Sequence, residues 1–307
     1  MKSGKGTRLF IQEVAPRDGF QIEAVFVPTE KKIELINALS GTGLAKIEAT
    51  SFTSPKAIPS LADAEQVMRG ITRTPGVEYS ALVPNVRGAE RALACEVDEL
   101  NLVMSASESH NSANLRMSCE ESLVQFSRIV TFVGDRAHVN ASLSTAFGCP
   151  FEGESPPQRV MDLFVRFIDL GLSRISLCDT TGVANPAQVQ ELFDRVLGRW
   201  PDVDLTAHFH NTRGMGLANV LAALEAGVVR IDASLGGLGG CPYAPGASGN
   251  ICTEDLVHML DLMGYSTGVD LDALLVCSQQ LPQLVGHDVP GQVLKAGRSS
   301  RRYQRPY

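Results

Sequence analysis

The chain has 307 residues, 44% hydrophobic and 20% charged, with a formal net charge of -7, an ordinary globular composition that fits one α/β barrel of roughly 250 residues plus insertions. The negative balance disfavours bulk binding to nucleic acid or to an anionic membrane. No apolar run reaches about 18 residues, and the charged first seven residues lead into no apolar core, so the sequence predicts neither a membrane span nor a secretory signal and implies a cytoplasmic protein.

Residues 8–14 are short, apolar and bounded by a proline, which marks a first strand. Ala15-Pro16-Arg17-Asp18-Gly19 turns the chain. Thr29 is the expected N-cap of a helix that carries Ile33, Leu35, Ile36 and Leu39 on one face and ends near Gly41 and Gly43. A strand at 44–49 follows, then a helix at 61–71, a strand at 78–83, a helix at 86–95 and a strand at 97–103. Residues 105–116 are polar and rich in Ser and Asn, and are expected to form a functional loop before a helix at 119–135. Strands at 137–145, 173–178, 202–210 and 228–234 alternate with helices that begin at Pro156-Pro157, at Asn185-Pro186 and near 214.

Eight strands alternating with helices predict a closed parallel (β/α)8 barrel, the TIM barrel. Its expected extent is residues 1–265, with a C-terminal helical appendage at 266–297 that includes a helical stretch near 270–285. Arg298, Arg301, Arg302 and Arg305 sit in a tail, 298–307, without apolar periodicity, which reads as a mobile extension. Seven cysteines, at 95, 119, 149, 178, 241, 252 and 277, are odd in number, scattered, and lack the CxxC pairs of a zinc ribbon.

Active sites of such barrels lie at the C-terminal ends of the strands. Arg17 and Asp18 follow the first expected strand, Glu48 ends the second, Asp179 follows the sixth, His208 and His210 end the seventh, and Cys241 and Asn250 follow the eighth. A strand's period of two turns His208 and His210 to one side and Phe209 to the other. Two imidazoles so placed can share a metal ion, or can be two satisfied strand histidines. With the Asp18 carboxylate and the Asn250 amide oxygen they form a mixed N/O donor set that suits Mg²⁺ or Mn²⁺, is compatible with Fe²⁺, and argues against structural zinc. Asp18 alone also reads as a turn residue.

Arg17 beside a metal can hold the oxyanion of a developing enolate while Glu48 fixes its guanidinium, although the same pair also reads as a rim salt bridge. Cys241 is the candidate reactive thiol, because it lies among Gly236, Gly237, Gly239 and Gly240; proton donation and acyl attack both remain open to it. These glycines do not match a dinucleotide fingerprint. They read either as a plain flexible loop or as a lid that excludes water.

Several segments resemble the 3-hydroxy-3-methylglutaryl-CoA (HMG-CoA) lyase family. They are Glu13-Val14-Ala15-Pro16-Arg17-Asp18-Gly19-Phe20-Gln21, Ile47-Glu48-Ala49-Thr50-Ser51-Phe52, Gly148-Cys149-Pro150-Phe151-Glu152-Gly153, Ser176-Leu177-Cys178-Asp179-Thr180 and the run from Gly237-Leu238-Gly239-Gly240-Cys241 through Gly249-Asn250. The resemblance implies a metal-dependent TIM barrel that uses Mg²⁺ or Mn²⁺ and cleaves the acyl-CoA substrate HMG-CoA to acetyl-CoA and acetoacetate, a retro-Claisen reaction of the kind used in leucine breakdown. It implies Asp18, His208, His210 and Asn250 as metal ligands, Arg17 as stabiliser of the enolate oxygen and Cys241 as an acid/base thiol on a mobile loop. Glu48 is implied as the partner of Arg17, Asp179 as a carboxylate relaying the hydroxyl proton, and the assembly as a homodimer. Asn211, Ile22 and Cys178 depart from the family pattern, and residues 104–117 match it mainly through Ser107-Glu108. These departures make a related ester such as citramalyl-CoA the nearest alternative substrate. A Claisen-type acyl transferase is the second enzyme reading, and a metal- or CoA-binding barrel without catalysis is the third.

Overall fold

Alternation along eight short strands sets the architecture. These are β1 (Phe10–Glu13), β2 (Lys46–Ser51), β3 (Glu78–Leu82), β4 (Glu99–Ser105), β5 (His138–Ser144), β6 (Arg174–Asp179), β7 (Asp204–Phe209) and β8 (Arg230–Ala233). Each pairs in parallel with the next, and β8 pairs with β1 to close the ring. The computed structural model, which describes residues 6–240, 249–302 and 304, is therefore the (β/α)8 barrel that the sequence predicts. A two-residue hairpin, Gly148–Cys149 against Gly153–Glu154, lies outside the ring.

One alternate set of strand residues, including Ile47, Ala81, Leu102, Leu143, Ile175, Ala207 and Ile231, is fully buried against the surrounding helices. Those helices are α1 (Thr29–Ser40), α2 (Ala64–Gly70), α3 (Val86–Leu93), α4 (Glu108–Leu115), α5 (Cys119–Val133), α6 (Pro157–Asp169), α7 (Pro186–Arg199), α8 (Gly216–Ala226) and α9 (Thr253–Leu262). The other set faces the barrel interior and is polar, with Gln12, Lys46, Glu99, Asn140, Ser176 and Arg230 among them. Barrel interiors are more often filled by branched apolar side chains. Here pairing replaces them: Arg174 reaches Glu78 at 2.5 Å and Glu99 at 2.8 Å, Lys46 joins Glu99, and Asn140 bonds Asn101 at 2.9 Å and Ser176 at 3.1 Å. Buried polar groups of this kind are tolerated because each has a partner.

Three local expectations change. Residues 105–116 are not a loop, since α4 occupies most of them. The polar side chains that suggest a loop are the ones that build the helix: the Ser107 hydroxyl accepts from the His110 N–H, and the buried Asn111 amide bonds Ser105, Met117 and Ser122. Thr29 opens α1 but does not cap it, because Pro28 holds the cap position and the Thr29 hydroxyl donates to Asp63 at 2.8 Å. The helical stretch near 270–285 is split into α10 (Leu271–Ser278) and α11 (Leu281–Val285), with Pro282 in the first turn of the latter, and α12 (Val293–Ala296) follows. Arg305 of the basic tail lies outside the described residues. Among the described residues no helix is long and apolar enough to cross a membrane.

Candidate active site

Immediately after β1 the chain makes a π-helical turn, Ala15–Gly19, in which the N–H groups of Arg17 and Asp18 both donate to the Val14 carbonyl. The turn is buried throughout and aims Arg17 and Asp18 over the barrel mouth. A register shift between Glu48 and Thr50 marks the end of β2 beside it. Arg17 donates from Nε at 2.7 Å and Nη2 at 2.6 Å to Glu48 Oε2, and from Nη1 at 2.7 Å to Asp18 Oδ1. The other Glu48 oxygen accepts from Asn101 at 2.8 Å. Burial disfavours the guanidinium charge, but Glu48 and Asp18 overcome it and hold Arg17 above its ordinary value. Burial also pushes the Glu48 carboxyl up against the opposing pull of Arg17.

His208 lies on β7 and His210 just beyond it, with ring centroids 5.3 Å apart. His210 Nε2 is 3.9 Å from Asp18 Oδ2, and donor atoms of Asp18, His208 and His210 all lie within 4.8 Å of one another. Burial and the neighbouring His208 push His210 down to about 4, which leaves it neutral and able to ligate near pH 7. Its buried Nδ1 has no hydrogen-bond partner among the described residues. Burial alone would raise the Asp18 carboxyl, yet Arg17, the two histidines and Asn250 hold it at about 2, so it is ionised. Two neutral-capable imidazoles and one ionised carboxylate, all buried, fit a divalent cation.

Asn250 stands next to this cluster and bridges to His210 through the backbone. Its Nδ2 donates to Asp18 Oδ2 at 2.7 Å and to the Leu238 carbonyl at 3.1 Å. In this structure the Asn250 amide nitrogen faces Asp18 and holds its carboxylate in place. A half-turn of the amide would present the oxygen and forfeit the bond to Leu238. Gly239 permits this close approach: its φ is +108°, and a Cβ there would fall 2.5 Å from the Asn250 amide nitrogen.

Asp179 is held by the backbone: its carboxylate accepts the N–H groups of Val183 at 2.9 Å and Ala184 at 3.1 Å. Burial raises its carboxyl to about 6. Cys241 lies outside the described residues.

The cavity is about 100 Å³ and includes Arg17, Asp18, His208 and His210 in its lining. Among the polar lining residues that sequence reasoning missed are Asp232, Asn101 and His110. Asp232 Oδ2 accepts from His208 Nδ1 at 3.1 Å, and this pair raises the His208 imidazole despite its burial. Asn101 supports Glu48, and His110 from α4 joins the lining with its Nδ1 2.6 Å from the Ser105 hydroxyl. The signal for Asp232 was alternation, which places Arg230 and Asp232 on one face of β8. A wider groove of about 980 Å³ opens at the opposite end of the barrel around Asp98, Asp135, His138 and Arg174, away from this cluster.

The HMGL-like family model matches residues 8–281. The chain is 47% identical over 295 residues to hydroxymethylglutaryl-CoA lyase YngG of Bacillus subtilis (strain 168), covering 95% of this chain and 98% of that protein. It is 41% identical over 298 residues to (R)-citramalyl-CoA lyase of Chloroflexus aurantiacus, covering 94% of each. Among solved structures, an HMG-CoA lyase from Acinetobacter baumannii in complex with coenzyme A and 3-methylmalate superposes with a TM-score of 0.95 at 52% identity, covering 100% of this chain and 99% of that one. With the family match spanning the barrel and every strand that builds its mouth, the chain belongs to the HMGL-like family.

Proposed function

We infer that this protein is a hydroxymethylglutaryl-CoA lyase, which cleaves HMG-CoA to acetyl-CoA and acetoacetate. The observation that carries the reading is Arg17, charged and locked between Glu48 and Asp18, beside the buried Asp18, His208 and His210 cluster. Asp18, His208 and His210 would hold a divalent ion, which when bound supplies Lewis acidity to the tertiary hydroxyl of the substrate. Their nitrogen and oxygen donors suit Mg²⁺ or Mn²⁺.

Arg17 is the group that stabilises negative charge as the carbon–carbon bond breaks and the thioester enolate develops. Glu48 and Asp18 fix the guanidinium before substrate arrives, so little reorganisation accompanies the reaction. Asp232 fixes the ring of His208, and Asn250 fixes Asp18. In this reading Cys241 returns a proton to the enolate carbon to complete acetyl-CoA; the sequence resemblance supports that role. A homodimer and a cytoplasmic location belong to the same proposal.

The (R)-citramalyl-CoA lyase relative defines the competing substrate. Supplying each ester separately distinguishes them, since HMG-CoA yields acetoacetate and citramalyl-CoA yields pyruvate, both with acetyl-CoA. We expect the larger kcat/KM for HMG-CoA. The reverse order would assign the site to the citramalyl ester.

A further inference from the structure

The barrel interior is mostly polar, and three apolar side chains line its upper end. Among the described side chains lining the active cavity, only Leu82 at the end of β3, Val103 on β4 and Cys178 on β6 carry no charged, amide, imidazole or hydroxyl group. Their strand neighbours Ala81, Leu102, Met104 and Leu177 are fully buried in the outer core, whereas Leu82 and Val103 keep partial exposure and line the cavity. Cys178 pairs in register with His208, which places it at the height of the metal-binding cluster. Its Sγ donates to the Ser176 carbonyl at 3.8 Å. A thiol so placed behaves as a small hydrophobe.

We propose that Leu82, Val103 and Cys178 form the wall that receives the alkyl group on the hydroxyl-bearing carbon of the substrate, and so determine which branched acyl-CoA is cleaved. This deepens the lyase reading and rests on it. Around that carbon the substrate offers a hydroxyl, a carboxylate and a thioester carbonyl, all of which need polar partners. The alkyl branch needs none, and these three side chains offer none. Apolar surface in a polar cavity is stabilised when an apolar ligand group covers it.

The test compares HMG-CoA with its 3-ethyl homologue, 3-ethyl-3-hydroxyglutaryl-CoA, by acetyl-CoA release. The ratio of the two kcat/KM values within one preparation cancels any difference in the folded fraction. One added methylene in a closed pocket changes discrimination by about 10- to 200-fold, so the unchanged chain should prefer the methyl ester by about tenfold or more. Val103→Ala, Leu82→Ala and Cys178→Gly should each move the ratio toward the ethyl ester, the largest shift reaching about tenfold. Val103→Leu, which fills space instead, should move it the other way, and it guards against collapse of the truncated variants. Cleavage of HMG-CoA by the unchanged chain with a ratio that stays within about twofold in all four variants would overturn the wall assignment alone. Failure of the unchanged chain to cleave either ester would remove the lyase reading and this inference together.

Discussion

An imidazole ligates well only when its ring is held, and Asp232 does this for His208 through the 3.1 Å contact at Nδ1. Asp232→Asn keeps the shape of the side chain and removes its charge. We expect divalent-ion affinity, measured by calorimetric titration, to fall by about 10- to 100-fold with the fold retained. Unchanged affinity would remove Asp232 from the site. The position of His208 was legible in the sequence because two histidines two residues apart at a strand end share a face. Asp232 was less so, because it lies inside the eighth strand, where only alternation marks it. Asn250 and Asp179 show a different limit. Sequence position brings each to the rim, but packing turns the Asn250 amide toward the Leu238 carbonyl and the Asp179 carboxylate toward the N–H groups of Val183 and Ala184.

Between elements, one buried carboxyl joins three segments that furnish the site. Glu13, at the end of β1, accepts at Oε1 from Ala15 N–H and from Leu235 N–H, each at 2.8 Å, and its Oε2 lies 2.7 Å from the Thr253 hydroxyl. Ala15 opens the turn carrying Arg17 and Asp18, Leu235 leads toward Gly239, and Thr253 begins α9 just after Asn250. Burial raises the Glu13 carboxyl to about 8. A protonated carboxyl suits this geometry, because Oε1 takes both backbone donors while Oε2–H can donate to Thr253. The native state therefore holds this proton more tightly than the unfolded chain does. Its contribution to stability is full below about pH 4.5, shrinks above that, and is lost as pH passes about 8. Glu13→Gln keeps the neutral shape and should flatten this decline, by on the order of a few kcal/mol across the window, in denaturant unfolding measured from pH 5 to 9. Parallel declines in the two proteins would acquit Glu13. The loop it anchors was expected from its glycines, but the carboxyl itself was hidden in the first strand. Helix α4 was hidden likewise, because Ser and Asn side chains that usually mark loops are here satisfied by the helix they cap and brace.

Across the whole molecule, a column of paired polar side chains runs up the barrel interior and ends in the Asp18, His208 and His210 cluster at its mouth. The eight-strand ring was legible because period-two and period-3.6 patterns alternate along the chain in the order that closure needs. The polar interior was not, since strands with one apolar face read the same whether the second face meets water, a sheet or a barrel axis. Pairing of Arg174, Glu78 and Glu99 decides that question, and only the closed ring brings them together. The same ring sets Arg17 beside Asp18, His208 and His210, and joint action of that cation with a divalent ion is the central claim. The most direct measurement is acetoacetate release from HMG-CoA by purified protein, before and after treatment with a chelator and again after Mg²⁺ or Mn²⁺ is restored. The expected result is release that the chelator abolishes and either ion recovers. Folded, metal-loaded protein that releases no acetoacetate, or release indifferent to the chelator, would contradict it.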